Sequence, residues 1–380
     1  MALTIDDLRR ASRRRLPRAV FDFIDGGAED EVTLRRNRHA FERLALVPRV
    51  LVDVHDVELA TTVLGHRIAA PLILAPAGLC GMATSRGEIP SARAAVQAGI
   101  PFTASCMSSV TLEEIARESP GPHWFQVYVW RDRGITRELV ERAAAEGYRT
   151  LVVTVDTPVL GQRERDARNG ATVPPRVTWG NAVDMLRRPR WLVTMARGPR
   201  VTFANVVGPE AAAGLGPFAL SPFVNRLFDA TLTWSDLDWL HGLWNGPMVV
   251  KGVLSPRDAC LAAEHGAAAV VVSNHGGRQL DGAPGTLEVL PEIVDAAGDR
   301  LEVLLDGGVR RGADLAKALA LGARACMIGR PYLYGLATGG QDGVTRAIQI
   351  LTTELSRTLA LMGCTRVGQL SRECVRGQPR

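Results

Sequence analysis

The sequence predicts an α/β fold, a (β/α)8 TIM barrel with an N-terminal helical segment and a long insertion after its fourth strand. Three observations predict it: short apolar runs recur eight times, helical stretches alternate with them, and the residues capable of chemistry cluster where the runs end. The runs are Pro71–Pro76, Pro101–Ser105, Trp124–Val129, Thr150–Asp156, Pro247–Gly252, Ala268–Asn274, Leu301–Asp306 and Ala325–Gly329. They are rich in Val, Ile and Leu without alternation, which suits strands covered on both faces. Between them, Glu88–Ala98, Thr136–Glu146, Ser255–His265 and Gly312–Leu321 have amphipathic helical character. Gly99, Gly147, Gly266 and Gly322 stand where C-terminal caps are expected.

Two stretches break the rhythm. Residues 1–65 precede the barrel and are expected to pack against it as helices. Residues 158–246 separate the fourth and fifth runs, too far for a structureless loop in a compact domain. They are expected to cross the barrel mouth with short helices. The whole of 1–380 reads as a single domain, with the barrel over 66–380.

Composition narrows the function classes. With 46 % hydrophobic and 22 % charged residues, the chain is an ordinary globular protein rather than a disordered or fibrous one. A net charge of +5 is mild, and no aromatic-interleaved basic stripe or known module points to nucleic acid. The six cysteines show no C-x-x-C pairing and no metal spacing with histidine, which predicts reduced thiols, no metal and a cytoplasmic setting. Residues 1–20 are charged, so no signal peptide is expected, and no apolar run is long enough to span a bilayer. Only Lys251 and Lys317 are lysines, which singles out the one ending the fifth run.

Active sites of β/α barrels are built from the C-terminal ends of the strands. The sixth run ends in Ser273-Asn-His-Gly-Gly-Arg278, placing a base, His275, beside a fixed cation, Arg278. Isolated histidines are more often structural, but two glycines and an arginine at a strand end favour chemistry. Oxidation of a 2-hydroxy acid needs this pair: one group takes a proton, the other holds a carboxylate bidentately. The fourth run ends in Asp156, suited to orienting His275 or to capping a helix, and Arg163 follows. Lys251 needs an anionic or electron-rich partner, either a flavin edge or a barrel aspartate. Gly-rich loops around Asp306, Gly308 and Arg310, and around Gly329 and Arg330, form a barrel phosphate site in register. Gln126 and Tyr128 share one strand face, suited to a flavin and a substrate or else to core filling.

The stretches Ser273–Asp281, Asp306–Gly312, Lys317–Gly322 and Gly329–Pro331 closely resemble the FMN-dependent 2-hydroxy-acid dehydrogenase and oxidase family. The likeness runs from Leu16-Pro17 and Gly27–Asp30 through Gly363-Cys364. It implies an FMN cofactor and a small-molecule 2-hydroxy acid substrate. It implies His275 as the base, Asp156 as its partner, Arg163 and Arg278 on the substrate carboxylate, and Tyr128 on the substrate. The implied flavin contacts are Pro76, Ala77, Gly78, Ser105, Gln126, Thr154, Lys251 and Ser273, with the phosphate at Asp306, Gly308, Arg310, Gly329 and Arg330. Whether His275 takes a carbon-bound or a hydroxyl proton is left open. Family members are commonly tetramers, so a homo-oligomer is expected.

Two departures from the family pattern bear on substrate and acceptor. Many members carry a substrate-binding tyrosine where this chain has Phe23, in Phe21-Asp22-Phe23. A more apolar site suits an aryl or bulky, mandelate-like acid. Gly78, in Ala77-Gly78-Leu79, matches dehydrogenases rather than oxidases, which favours an acceptor other than oxygen over peroxide release. Residues 187–200 hold a basic amphipathic patch around Trp191, resembling the insertion that tethers mandelate dehydrogenase to the inner membrane; the other reading is a solvated loop. Other FMN barrels, such as dihydroorotate dehydrogenases, would lack His-Gly-Gly-Arg. A barrel acting on peptide- or carrier-bound hydroxy acids, and a non-enzymatic flavin-binding subunit, are the remaining alternatives.

Overall fold

The computed structural model describes residues 2–169, 179–206 and 228–377. The parts of the insertion at 170–178 and 207–227 lie outside the described residues. Each of the eight apolar runs is a strand: β1 (Leu72–Leu74), β2 (Thr103–Ser105), β3 (Trp124–Val127), β4 (Thr150–Thr154), β5 (Met248–Val253), β6 (Ala269–Val272), β7 (Glu302–Leu305) and β8 (Ala325–Ile328). All pair in parallel in the order β1-β8-β7-β6-β5-β4-β3-β2. A parallel bridge between Leu74 and Phe102 brings the two ends together and closes the barrel.

Side-chain parity sets what the barrel encloses. Ile73, Trp124, Val152, Val249, Ala269, Val271, Leu304, Ala325 and Met327 form one buried interior cluster. Burying each Val, Ile or Leu there contributes roughly 1.5–3 kcal/mol, so the lower barrel is a packed core and no channel. Val63 and Ile68 belong to the same cluster. They come from the antiparallel hairpin Thr61–Val63/His66–Ile68, which plugs the barrel end opposite the strand C-termini.

Helices follow the strands. After β1, β2 and β3 come α4 (Glu88–Gln97), α5 (Leu112–Glu118) and α6 (Arg133–Ala145). The insertion carries α7 (Glu164–Arg168), α8 (Trp179–Leu186) and α9 (Pro189–Arg197), and α10 (Ser235–His241) leads back into β5. After β5 to β8 come α11 (Pro256–Glu264), α12 (Thr286–Ala297), α13 (Gly312–Ala320) and the long α14 (Arg330–Leu361). All four expected cap glycines, Gly99, Gly147, Gly266 and Gly322, take positive φ.

The N-terminal segment is helical over α1 (Ile5–Arg15), α2 (Arg18–Asp25) and α3 (Val32–Glu42) only. A Thr4/Asp7 capping box starts α1, whose Ile5 and Leu8 are buried. The expectation of helices up to residue 65 is wrong beyond Glu42. Ala45–Leu46 pairs with Val375–Arg376, and Thr61-Thr-Val63 forms a hairpin strand. Pro48 and the β-branched residues there disfavour helix. The start of α3 is held from outside: the Asp281 carboxylate accepts from the amides of Val32 at 3.1 Å and Thr33 at 2.7 Å.

Candidate active site

The parity that fills the lower barrel with aliphatic side chains continues upward into polar ones. Above Trp124 come Gln126 and Tyr128; above Val152, Thr154 and Asp156; above Val249, Lys251; above Val271, Ser273; above Leu304, Asp306. The C-terminal ends of the strands thus enclose a ring of donors and acceptors. A lone buried ammonium would cost several kcal/mol, and Lys251 avoids this by pairing with Asp306 at 2.9 Å and donating to Ser273 Oγ at 2.9 Å. The barrel-aspartate partner is therefore the one realised, and Lys251 still lines the pocket. Burial pulls its ammonium towards neutrality, but Asp306 and Asp156 outweigh this and keep it charged.

His275 and Asp156 meet as the sequence suggests, Nδ1 to Oδ1 at 2.9 Å. His275 sits in a left-handed conformation, φ 56°, with its amide bonded to Ser273 Oγ at 3.1 Å. Strain of this kind is held by its surroundings and is common where a side chain must be aimed. Burial lowers the affinity of the imidazole for a proton, and Lys251 and Arg163 add to the effect against the pull of Asp156. Burial pushes the Asp156 carboxyl up, but the adjacent imidazole and Lys251 bring it down overall. The result is a neutral imidazole backed by a carboxylate, the form that takes a proton.

Two residues keep this pair in place without touching a substrate. Gln279 Nε2 donates to Asp156 O at 2.8 Å and Val159 O at 3.0 Å, while its Oε1 accepts from Gly161 N at 3.1 Å. It locks the loop after β4 to the loop after β6. Gly252, φ +116°, leaves room for Asp156: a Cβ there would lie 2.7 Å from Asp156 Cβ and 2.8 Å from its Cγ. Gly252→Ala is expected to displace the carboxylate and lower kcat about 100-fold, the usual result of a misplacement near 1 Å. Anaerobic flavin-reduction kinetics on the folded variant check this, and wild-type rates would refute it.

Opposite His275 lie two guanidinium groups. Arg278 Nη1 donates to the carbonyls of Phe23 at 2.7 Å and Gly26 at 3.0 Å, and its guanidinium lies 5.3 Å from the Phe23 ring centroid. Arg163 has a buried Nε with no hydrogen-bond partner. Neither forms a salt bridge among the described residues, and burial together with mutual repulsion destabilises the charge on Arg278. Asp166 offsets both charges only in part and without a salt bridge, so the two half-buried guanidinium groups suit a substrate carboxylate. Tyr128 faces the same pocket, and burial raises its hydroxyl so that it remains a donor.

The loop carrying Phe23 is pinned by Asp25. This buried carboxylate accepts from Arg9 Nε at 2.6 Å, Arg165 Nη1 at 3.1 Å and Tyr334 Oη at 2.7 Å. The helix α2, the start of the insertion and the last helix therefore meet at one acid below the substrate end.

The rest of the pocket suits FMN. Pro76, Ala77, Gly78, Met327, Ile328 and Leu333 supply an apolar slab. Buried atoms without a protein partner aim at the same space: Gln126 Nε2, Thr154 Oγ1 and Asp306 Oδ1. Ser105 Oγ donates to Gln126 Oε1 at 2.8 Å, which leaves the Gln126 amide nitrogen for a ring edge. At the far end lie Gly308, Arg310, Gly329 and Arg330. Gly308, φ +85°, passes so close to the Asn37 carbonyl that no side chain fits. These groups fit the flat ring, polar pyrimidine edge and phosphate of an FMN.

Several of the expected site residues also bond to the protein around the pocket. Ser273 and Asp156 are not among the residues lining the pocket, and the Ser273 oxygen accepts from Lys251 Nζ at 2.9 Å and the His275 amide at 3.1 Å. Asp306 lines the pocket beside the Lys251 ammonium. Arg330 spends Nε, Nη1 and Nη2 on the carbonyls of Ile24, Gly276 and Gly26, tying α2 and the His-Gly-Gly turn to the phosphate loop.

The family model for FMN-dependent dehydrogenases matches residues 12–377. The chain belongs to this family. It is an FMN-dependent oxidoreductase of 2-hydroxy acids. It is 46 % identical over 369 residues to an L-lactate oxidase of Nostoc sp., covering 96 % of this chain and 95 % of that one. It is 43 % identical over 371 residues to a putative L-lactate dehydrogenase of Mycobacterium tuberculosis, covering 97 % and 88 %. Among solved structures, a monotopic membrane protein, (S)-mandelate dehydrogenase, superimposes with a TM-score of 0.94 at 39 % identity, covering 99 % of this chain and 100 % of that one.

In this member of the FMN-dependent dehydrogenase family the insertion also supplies pocket residues that no motif marked. Phe203 and Phe228 line the pocket. Phe228 makes edge contacts to Tyr128, centroids 5.0 Å apart, and packs on Trp130 at 5.1 Å. Its position is fixed by a bridge to Trp130 and by the Arg133–Asp229 ion pair at 2.7 Å. Trp191 turns inward, its indole donating to Met82 O at 2.9 Å, so it is no surface anchor. The outward residues of α8 and α9 include Val183, Leu186, Arg187, Arg190, Val193 and Arg197. Among the described residues, no helix is long and apolar enough to cross a membrane.

Proposed function

We propose that this enzyme oxidises an (S)-2-hydroxy acid bearing an aryl or similarly bulky group to its 2-oxo acid and passes the electrons to an acceptor other than oxygen. The observation that carries the reading is that Arg163 and Arg278, neither in a salt bridge among the described residues, line one pocket with the neutral imidazole of His275. Arg163 and Arg278 hold the substrate carboxylate, and Tyr128 donates to a substrate oxygen. His275 Nε2 accepts the proton, and Asp156 stabilises the imidazolium through Nδ1. FMN, when bound, supplies the two-electron acceptor. The aryl preference is supported by the apolar rim of Phe23, Met107, Leu160, Phe203 and Phe228. The acceptor reading is supported by Gly78, where a Cβ would lie 2.9 Å from Met107 Cβ.

Anaerobic mixing with glycolate, lactate and (S)-mandelate, followed by admission of air, tests both parts. The expected result is fastest bleaching with mandelate and slow recovery of the yellow colour. Faster bleaching with lactate or glycolate would refute the substrate class, and rapid recovery would make the enzyme an oxidase releasing hydrogen peroxide.

The basic and apolar outward face of α8 and α9 supports peripheral contact with an anionic membrane, with Leu186 (72 % exposed) and Val193 (47 % exposed) as the inserting residues. Pelleting with anionic liposomes is expected and is lost in Leu186→Glu/Val193→Glu. Equal pelleting of that double variant would contradict the contact.

A further inference from the structure

Nine residues lie between Cys364 and Cys374, yet the structure brings their segments together. Cys364 follows the end of α14, and Cys374 closes the 3-10 turn Arg372–Cys374. Residues 45–49 bind both segments: Val47 N donates to Cys374 O at 2.9 Å, and Arg49 N to Met362 O at 3.2 Å. Anchor points two residues apart on an extended chain lie within about 7 Å, so the loop between the cysteines returns to its own start. There Gln369 joins the two segments: its carbonyl lies 4.0 Å from Cys374 Sγ, and its Oε1 accepts from the amide of Thr365, next to Cys364, at 2.7 Å. Arg49 Nη2 approaches Cys364 Sγ at 3.8 Å while donating to Gly363 O at 2.7 Å. Cys364 is buried and Cys374 partly exposed, and neither lines the active-site pocket.

We propose that Cys364 and Cys374 form a reversible dithiol–disulfide site, oxidised by a peroxide that reaches Cys374. The Cys374 sulfur attacks the peroxide, the O–O bond breaks, and a sulfenic acid forms with release of one water when the oxidant is hydrogen peroxide. The Cys364 sulfur then attacks the Cys374 sulfur, the S–S bond forms, the S–O bond breaks, and the thiol proton leaves with the hydroxyl as a second water. Two thiols lose two electrons and two protons, and one peroxide gains them. Exposure assigns the order, because only Cys374 is open to the oxidant. Burial pushes the Cys364 thiol up, which suits a resolving role over initial attack.

The cross-link closes a loop that already braces the phosphate side of the barrel. Arg372 is paired with Asp295 of α12 and donates to Pro291 O, and its turn packs against α13. Oxidation therefore tightens these turns against the helices that follow β6 and β7. A rise in Tm of about 3 °C is expected for so short a loop in a chain of this size.

Non-reducing peptide mapping of the holoenzyme tests the site. The enzyme is treated with hydrogen peroxide, denatured in an alkylating reagent and digested with trypsin. Arg357, Arg366, Arg372 and Arg376 place the two cysteines on separate peptides, 358–366 and 373–376. The expected product is the two peptides joined, two hydrogens lighter than their sum and separated by dithiothreitol. In Cys364→Ser, Cys374 should instead proceed to the sulfinic acid. Cys374 oxidised to sulfinic acid in the wild type while Cys364 is alkylated, or both thiols alkylated after treatment, would overturn the proposal.

Discussion

His275→Asn is expected to slow flavin reduction about 1,000- to 10,000-fold while FMN remains bound. The loss matches removal of a general base whose partner carboxylate is retained. Flavin is retained because His275 contributes only one side of a pocket whose phosphate end lies at Gly308, Arg310 and Gly329. Anaerobic stopped-flow absorbance measures the rate, and a fall of less than tenfold would exclude His275 as the base. The pH dependence follows from burial. The imidazole of the free enzyme titrates below its usual 6.5 because burial, Lys251 and Arg163 disfavour its cation. Only the neutral form takes a proton, so kcat/KM falls as pH drops through that lowered value and is level above it. An acid limb centred above 6.5 would contradict the electrostatics.

Arg278→Lys is expected to lower kcat/KM about 100- to 1,000-fold, with KM raised and kcat reduced together. Arg278 already donates Nη1 to the carbonyls of Phe23 and Gly26, and its other nitrogens remain for a carboxylate. A lysine presents one compact ammonium, which cannot bind those carbonyls and a bidentate carboxylate in the same geometry. The substitution also removes the planar contact with Phe23 that braces α2. Steady-state kinetics with (S)-mandelate, alongside flavin fluorescence to confirm loading, measure the effect. A change below fivefold would show that Arg163 alone holds the carboxylate.

The barrel was legible because its strands are buried on both faces, so their apolar runs stand out, and because cap glycines punctuate the helices between them. His275, Arg278 and Asp156 were legible because they sit at strand ends, where charged side chains have no structural reason to gather. Residues 43–65 were misread because an extended segment without regular strand periodicity resembles neither element. Ser273 and Asp306 also both bond to Lys251, a contact between strands that spacing along the chain does not encode. Trp191 reads as an anchor on a helical wheel, but its indole found the Met82 carbonyl. Phe203, Phe228 and Gln279 carry no motif, since their roles exist only once the insertion and the loop after β6 fold over the barrel mouth.

A crystal structure of the holoenzyme with a bound 2-oxo acid product tests the central claim most directly. The account predicts the product carboxylate between Arg163 and Arg278, with its keto carbon between His275 Nε2 and the flavin ring. A product bound away from both arginines, or a His275 ring turned from the keto carbon, would contradict it.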